Sequence, residues 1–274
     1  MPQVAHYHLE KLTDIHSKLL ARDTVVDILL PSDYAKTDSL YPLLILNDGQ
    51  DSERIGLKKT VEQLVHRHEI EDIIIVAVHA GDRMQEYGVA ARSDFKKRGG
   101  KAKDYTRFII TELIPYLEYR YPVSKQAAQR AIAGFSLGGL SALDIAWHNE
   151  YFGKIGAFSG SFWWRKRDSS SRFYSEHYDR IMHQQIRKGK YRPGLKFWFQ
   201  TGLLDEQSDR NKNGVIDSID DTLDLIVELT KKGYRPFHDI QYLELPDGAH
   251  DLPTWGRTLP TFLKWAFGTT KPVK

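Results

Sequence analysis

Apolar and polar positions along this chain fall in blocks whose period switches between that of a strand and that of a helix. Thr24-Val25-Val26-Asp27-Ile28-Leu29-Leu30 is dominated by β-branched and aliphatic residues and is stopped by Pro31. It predicts a strand, joined through residues 14–17 to an earlier one over residues 4–12. Pro42-Leu43-Leu44-Ile45-Leu46 and Asp72-Ile73-Ile74-Ile75-Val76-Ala77-Val78 carry continuous apolar runs, the pattern of strands covered on both faces. Between them, residues 57–68 place Val61, Leu64 and Val65 on one helical stripe. Residues 105–119 do the same with Phe108, Ile109 and Leu113, and Pro115 is positioned to kink that helix. Further strands are expected over 129–133, 154–159, 195–200 and 239–245. Further helices are expected over 140–147, 171–188, 218–232 and 254–267. The helix at 140–147 reads as amphipathic, with Leu140, Leu143 and Trp147 inward. The one at 171–188 reads as polar and belongs to a cap or an exposed face. Gly202 should end one strand, and Gly233 should stop one helix.

Strands alternating with helices predict an α/β fold, with a mostly parallel central sheet and helices on both faces. The whole chain, residues 1–274, reads as one domain. Sites in such sheets form beyond the carboxyl ends of the strands. Asn47 to Asp51, Ser136, Asp205 and His250 each follow a predicted strand.

Gly134-Phe135-Ser136-Leu137-Gly138-Gly139 lies where a strand turns sharply into a helix. In a G-x-S-x-G elbow the serine is held in a strained conformation with its hydroxyl above the sheet. The flanking glycines avoid collision with the neighbouring elements. A serine hydroxyl needs a base, and the base needs an orienting carboxylate. The chain order serine, acid, histidine is met by Ser136, Asp205 and His250. His79, after another strand, rivals His250, and Glu206 and Asp209 rival Asp205. Two backbone N–H donors for the oxyanion are expected from Leu137, after the nucleophile, and Gln50, after Gly49.

Composition narrows the alternatives. Thirty-nine basic residues face 36 acidic ones, for a net charge of +3, which makes no case for nucleic acid or an anionic membrane. There are no cysteines, so disulfides, thiolate nucleophiles and Cys-based zinc sites are excluded. The run Ile73 to Val78 is too short to span a bilayer, and the first residues show no signal-peptide pattern. A cytoplasmic protein is the expectation.

Taken together, Asp48-Gly49-Gln50, Arg83 with Glu86 and Tyr87, the Ser136 elbow, Gly202 with Asp205, and Gly248 with His250 and Trp255 resemble the putative-esterase family of α/β-hydrolases. That family includes enterochelin esterases, feruloyl esterases, S-formylglutathione hydrolases and related mycolyltransferases. The resemblance implies an α/β-hydrolase fold, with Ser136, Asp205 and His250 as the triad and Gln50 and Leu137 as the oxyanion hole. It implies hydrolysis or transfer of acyl esters and names no one substrate; an acylated sugar, a phenolic or another small ester, with no catalytic cofactor, is the expectation. Acyl transfer is the nearest alternative. A non-catalytic carbohydrate- or partner-binding protein is the alternative from another class. Arg83, Glu86, Tyr87, Trp163 and Trp164 are candidate substrate contacts; the bland reading is a pinned loop for the first three and core for the tryptophans.

One insertion stands apart. Asp209-Arg210-Asn211-Lys212-Asn213-Gly214-Val215-Ile216-Asp217-Ser218-Ile219-Asp220 follows the spacing of a calcium loop. Oxygen donors fall on Asp209, Asn211, Asn213, the Val215 carbonyl, Asp217 and Asp220, and Gly214 stands where the loop must turn. Asp220 replaces the usual glutamate and reaches less far. A structural Ca2+ is expected; the bland reading is an Asn-rich turn capping the next helix.

Overall fold

The computed structural model describes residues 7–36 and 39–269; the expected strand start at residue 4 lies outside them. Among these residues eight strands, β1 (Tyr7–Ser17), β2 (Arg22–Pro31), β3 (Leu43–Asn47), β4 (Ile74–Val78), β5 (Arg130–Phe135), β6 (Lys154–Phe158), β7 (Lys196–Leu204) and β8 (Ile240–Ala249), form one sheet. Their order is β1-β2-β4-β3-β5-β6-β7-β8. The β1–β2 and β2–β4 pairs are antiparallel, and every pair from β4 to β8 is parallel. The carboxyl ends of β3, β5, β6, β7 and β8 therefore share one edge of the sheet.

Among the described residues nine α-helices accompany the strands: α1 (Leu57–His66), α2 (Arg83–Glu86), α3 (Ala102–Arg107), α4 (Ile114–Arg120), α5 (Leu137–His148), α6 (Glu176–Asp179), α7 (Ile181–Lys188), α8 (Asp217–Lys232) and α9 (Leu252–Phe267). Alternation along β3 shows how the two faces are covered. Leu43 and Ile45 join a core with residues of α4, α5, α7 and α8. Leu44 and Leu46 join a second core with α1 and α9. Both faces are buried, which is why β3 and β4 read as unbroken apolar runs.

Several expectations are corrected. The helix over residues 140–147 starts at Leu137 and is buried through Ala146; it is enclosed on all sides rather than amphipathic. The predicted helix at 105–119 begins earlier and passes through a π-helical stretch, Phe108–Leu113, before α4. Pro115 cannot donate to the carbonyl one turn back, and the helix widens just ahead of it. The polar helix over 171–188 does not exist as one element. It breaks at Arg180, whose backbone is extended (φ −74°, ψ 113°). Ile181, Met182, His183 and Ile186 beyond the break are buried. Arg180 is held there by ion pairs to Asp221 and Asp224 of α8. Strands β7 and β8 also run past their predicted ends, to Leu204 and Ala249. Gly202 does not end β7; a bulge lies between Gly202 and Leu204. Among the described residues no helix is long and apolar enough to cross a membrane.

Candidate active site

Ser136 stands between β5 and α5 with φ 54° and ψ −118°. A non-glycine residue in such a region carries roughly 1–3 kcal/mol of strain. The turn is tight enough to demand its glycines. A Cβ on Gly134 would lie 2.5 Å from the backbone of Gly138, and one on Gly138 would lie 2.6 Å from Asp48 Oδ2. The Ser136 N–H donates to the Phe158 carbonyl, pinning the elbow to β6.

Ser136 and His250 line one cavity of about 470 Å³, together with Asp48, Gln50, Asp51, Arg54, Arg83, Phe135, Asp251, Leu252, Pro253 and Trp255. Asp205, 9% exposed, lies within electrostatic reach of His250. Its Oδ2 accepts the Gly202 N–H at 3.0 Å, and its Oδ1 accepts the Ser159 hydroxyl at 3.0 Å. Burial raises the Asp205 pKa, against the Gly202 and Ser159 hydrogen bonds and the field of His250. Burial lowers the His250 pKa, opposed by Asp205 and assisted by Arg83. A neutral imidazole, able to accept a proton, follows. His250 makes no direct hydrogen bond to Ser136 or Asp205 among the described residues; Ser136 Oγ lies 3.1 Å from Ser161 Oγ.

The rival histidine, His79, is turned away, with Nε2 2.8 Å from Asp27 Oδ2. Of the two rival carboxylates, Asp209 accepts backbone N–H groups of its own loop. Glu206 has its pKa raised, chiefly by burial and next by Asp217.

The turn after β3 is locked from below. Asp48 adopts a left-handed conformation (φ 62°) ahead of the single turn Gly49–Asp51. Its buried carboxylate receives Arg83 Nε at 2.8 Å and Nη2 at 3.1 Å. The same Nη2 donates to the Phe135 carbonyl at 3.0 Å. One guanidinium thus ties the turn carrying Gln50 to the residue before Ser136. The Asp48 N–H donates to the Tyr87 hydroxyl, and Asn47 donates to the Gly138 carbonyl and accepts from Tyr105. Gln50 lines the cavity. Leu137 opens α5, where the first N–H groups have no partner inside the helix.

Of the candidate substrate contacts, Arg83 alone lines this cavity. Glu86, 1% exposed, is bound by Arg22. Tyr87 is fully buried beneath Asp48. Trp164 is fully buried and donates to the Arg92 carbonyl. Trp163 packs partly buried against the core, under the Arg98 guanidinium. These four do not line the cavity; their partners and burial match the reading of a pinned loop between β4 and α3 and of core tryptophans, since polar groups that find partners inside stay inside. Conversely, Ser159 and Ser161 were not singled out from sequence. The Gly/Ser-rich turn after β6, at the active edge of the sheet, is the signal that marks them.

In the 209–220 loop, Gly214 takes φ 87°. Asp209 accepts the N–H groups of Asn213 and Gly214. The amides of Asn211 and Asn213 both lie 2.8 Å from Asp220 Oδ2. Asp217 turns to Arg210 instead. Among the described residues, no three His, Cys, Asp or Glu side chains gather closely enough to hold a metal. The loop's carboxylates Asp209, Asp217 and Asp220 each accept from N–H donors of the loop itself.

Comparison with known proteins agrees with this fold. The chain is 28% identical over 142 residues to the uncharacterized protein YbbA of Bacillus subtilis (strain 168), covering 50% of this chain and 56% of that one. It superposes on the enterobactin esterase of Shigella flexneri, solved in the presence of enterobactin, with a TM-score of 0.73 at 22% identity, covering 97% of this chain and 60% of the other. A ferulic acid esterase superposes with a TM-score of 0.69 at 20% identity, covering 96% and 97%. The chain spans about half the length of the curated relatives it matches. The family model for Putative esterase matches residues 17–266, and the chain belongs to that family, on an α/β-hydrolase fold.

Proposed function

We propose that this chain is a serine carboxylic-ester hydrolase working through Ser136, His250 and Asp205. The observation that carries this reading is the strained Ser136 turn, placed on the same cavity as a histidine of lowered pKa with a braced carboxylate in its electrostatic reach. Ser136 Oγ attacks the ester carbonyl while His250 takes its proton. The oxyanion is met by the N–H groups of Leu137 and Gln50. His250 then gives the proton to the leaving alcohol, and the acyl group stays on Ser136. Water, deprotonated by His250, releases the acid and restores the serine. Asp205 orients the imidazole and balances its charge.

The cavity wall mixes Gln50, Asp51, Arg54, Arg83 and Asp251 with a few apolar groups, which suits a small polar ester rather than a long acyl chain. The names of the relatives, enterobactin esterase and ferulic acid esterase, support an ester with a phenolic part. The test is hydrolysis of short-chain aryl esters by wild type and Ser136→Ala in matched, folded preparations. Turnover is expected to vanish in the variant; equal turnover in both would overturn the reading. Added alcohol or sugar that diverts product from acid to a new ester would mark acyl transfer.

We further propose that the 209–220 loop takes Ca2+ in a structural role, held by Asp209, Asn211, Asn213, Val215, Asp217 and Asp220. The spacing of oxygen donors along the loop and the left-handed Gly214 support it; binding would turn the Asn211 and Asn213 amide oxygens inward and release Asp217 from Arg210. Saturating calcium at about 100 times Kd should add about 2.7 kcal/mol of stability. The melting temperature should rise in calcium over chelator for wild type and not for Asp209→Ala. Identical melting of wild type in both media would remove the proposal.

A further inference from the structure

Trp255, in the first turn of α9, contacts His250 directly and reaches the other two members of the proposed triad through their neighbours Phe135 and Ser159. Its ring stacks on Phe135, the neighbour of Ser136, at 5.1 Å and 17° between planes. The same ring meets His250 edge-on, at 5.2 Å and 78°. Its Nε1 donates to Ser159 Oγ at 3.1 Å, and Ser159 Oγ donates to Asp205 Oδ1 at 3.0 Å. Both hydrogen bonds are buried, and Trp255 is 8% exposed.

The direction of this chain is forced by chemistry. An indole N–H can only donate, and a serine hydroxyl has one proton to give. Once Ser159 accepts from Trp255, its own proton is free for Asp205, which must accept as a carboxylate. Ser159 is held for the purpose in a left-handed conformation (φ 45°), with its N–H on the Gln200 carbonyl. An apolar side chain at residue 255 would fill the same space without setting this polarity.

We infer that Trp255 is a positioning residue: its N–H, relayed through Ser159, fixes the Asp205 carboxylate, while its ring fixes the His250 imidazole and the Phe135 end of the nucleophile turn. The inference rests on the triad reading above and adds a fourth and a fifth residue to it. Hydrogen bonds in such chains polarise one another. Losing the relay leaves the carboxylate less stabilised, so the His250–Asp205 pair binds its proton more tightly. The other charged or titratable groups facing the pair are Arg83, Glu206, Tyr242 and Asp251, and the variants below leave all four in place.

The experiment compares wild type, Trp255→Phe, Ser159→Ala and the double variant, with the His250 ring titrated by NMR and kcat and KM followed against pH on an aryl ester. Both single variants should raise the His250 titration point, Ser159→Ala by on the order of one unit. Both should lower kcat by roughly tenfold to a hundredfold, as expected for a lost hydrogen bond to a charged group, with KM little changed. The double variant should be no worse than Ser159→Ala alone, because both act through one chain. A wild-type titration point in Ser159→Ala, or losses that multiply in the double variant, would overturn the relay. If Trp255→Phe folds poorly, Ser159→Ala, which removes one oxygen, still decides. The NMR titration needs no turnover, so failure of the relay is distinct from failure of the esterase reading, which Ser136→Ala tests.

Discussion

His250 carries the sharpest prediction at the scale of single residues. Burial pushes its pKa below the ordinary histidine value, with Arg83 adding to the shift and Asp205 opposing it. A base works only when neutral, so kcat/KM should rise with pH through a midpoint below about 6.5. A pH–rate profile with its acid limb above that value would contradict the assignment. Ser136, Asp205 and His250 were legible as candidates because their chemistry leaves few substitutes and their neighbours are turn glycines. Glu86, Tyr87 and Trp164 were not. A charged or aromatic side chain beside a cleft reads the same in sequence whether it faces substrate or a buried partner. Only Arg22 on Glu86, and the packing around Tyr87 and Trp164, decide the matter.

At the scale of elements, β7 and β8 deliver Asp205 and His250 to the same edge. They do so because two glycines let the strands close on each other. A Cβ on Gly202 would collide with the Gly248 backbone carbonyl. Gly202→Ala should therefore cost roughly 1–3 kcal/mol of stability, as overpacking does. It should also depress turnover, because the Gly202 N–H holds Asp205. Urea unfolding and aryl-ester assays would check both; a variant as stable and active as wild type would refute the close approach. The strand and helix blocks of the sequence mapped well onto the elements, since periodicity reports which faces are buried. Boundaries fared worse. Gly202 was read as a stop when it is a close approach. The 171–188 segment was read as one polar helix because ion pairs to α8 are invisible in a local pattern.

At the scale of the whole molecule, the sheet places the ends of β3, β5, β6, β7 and β8 along one edge, so residues 48, 136, 159, 205 and 250 meet despite lying far apart in the chain. The alternation of elements, the parallel character of the sheet and the serine elbow were determined by sequence alone. Each follows from local physics: hydrophobic period, turn chemistry and the steric demands of Gly134 and Gly138. The Arg83 clamp between Asp48 and Phe135, the Trp255–Ser159–Asp205 chain and the burial of α5 on all sides were decided only by tertiary structure. These depend on which distant segments share one desolvated space. There a hydrogen bond to a buried carboxylate gains strength and an unpaired polar group is penalised, and no local stretch of sequence encodes that choice of neighbour.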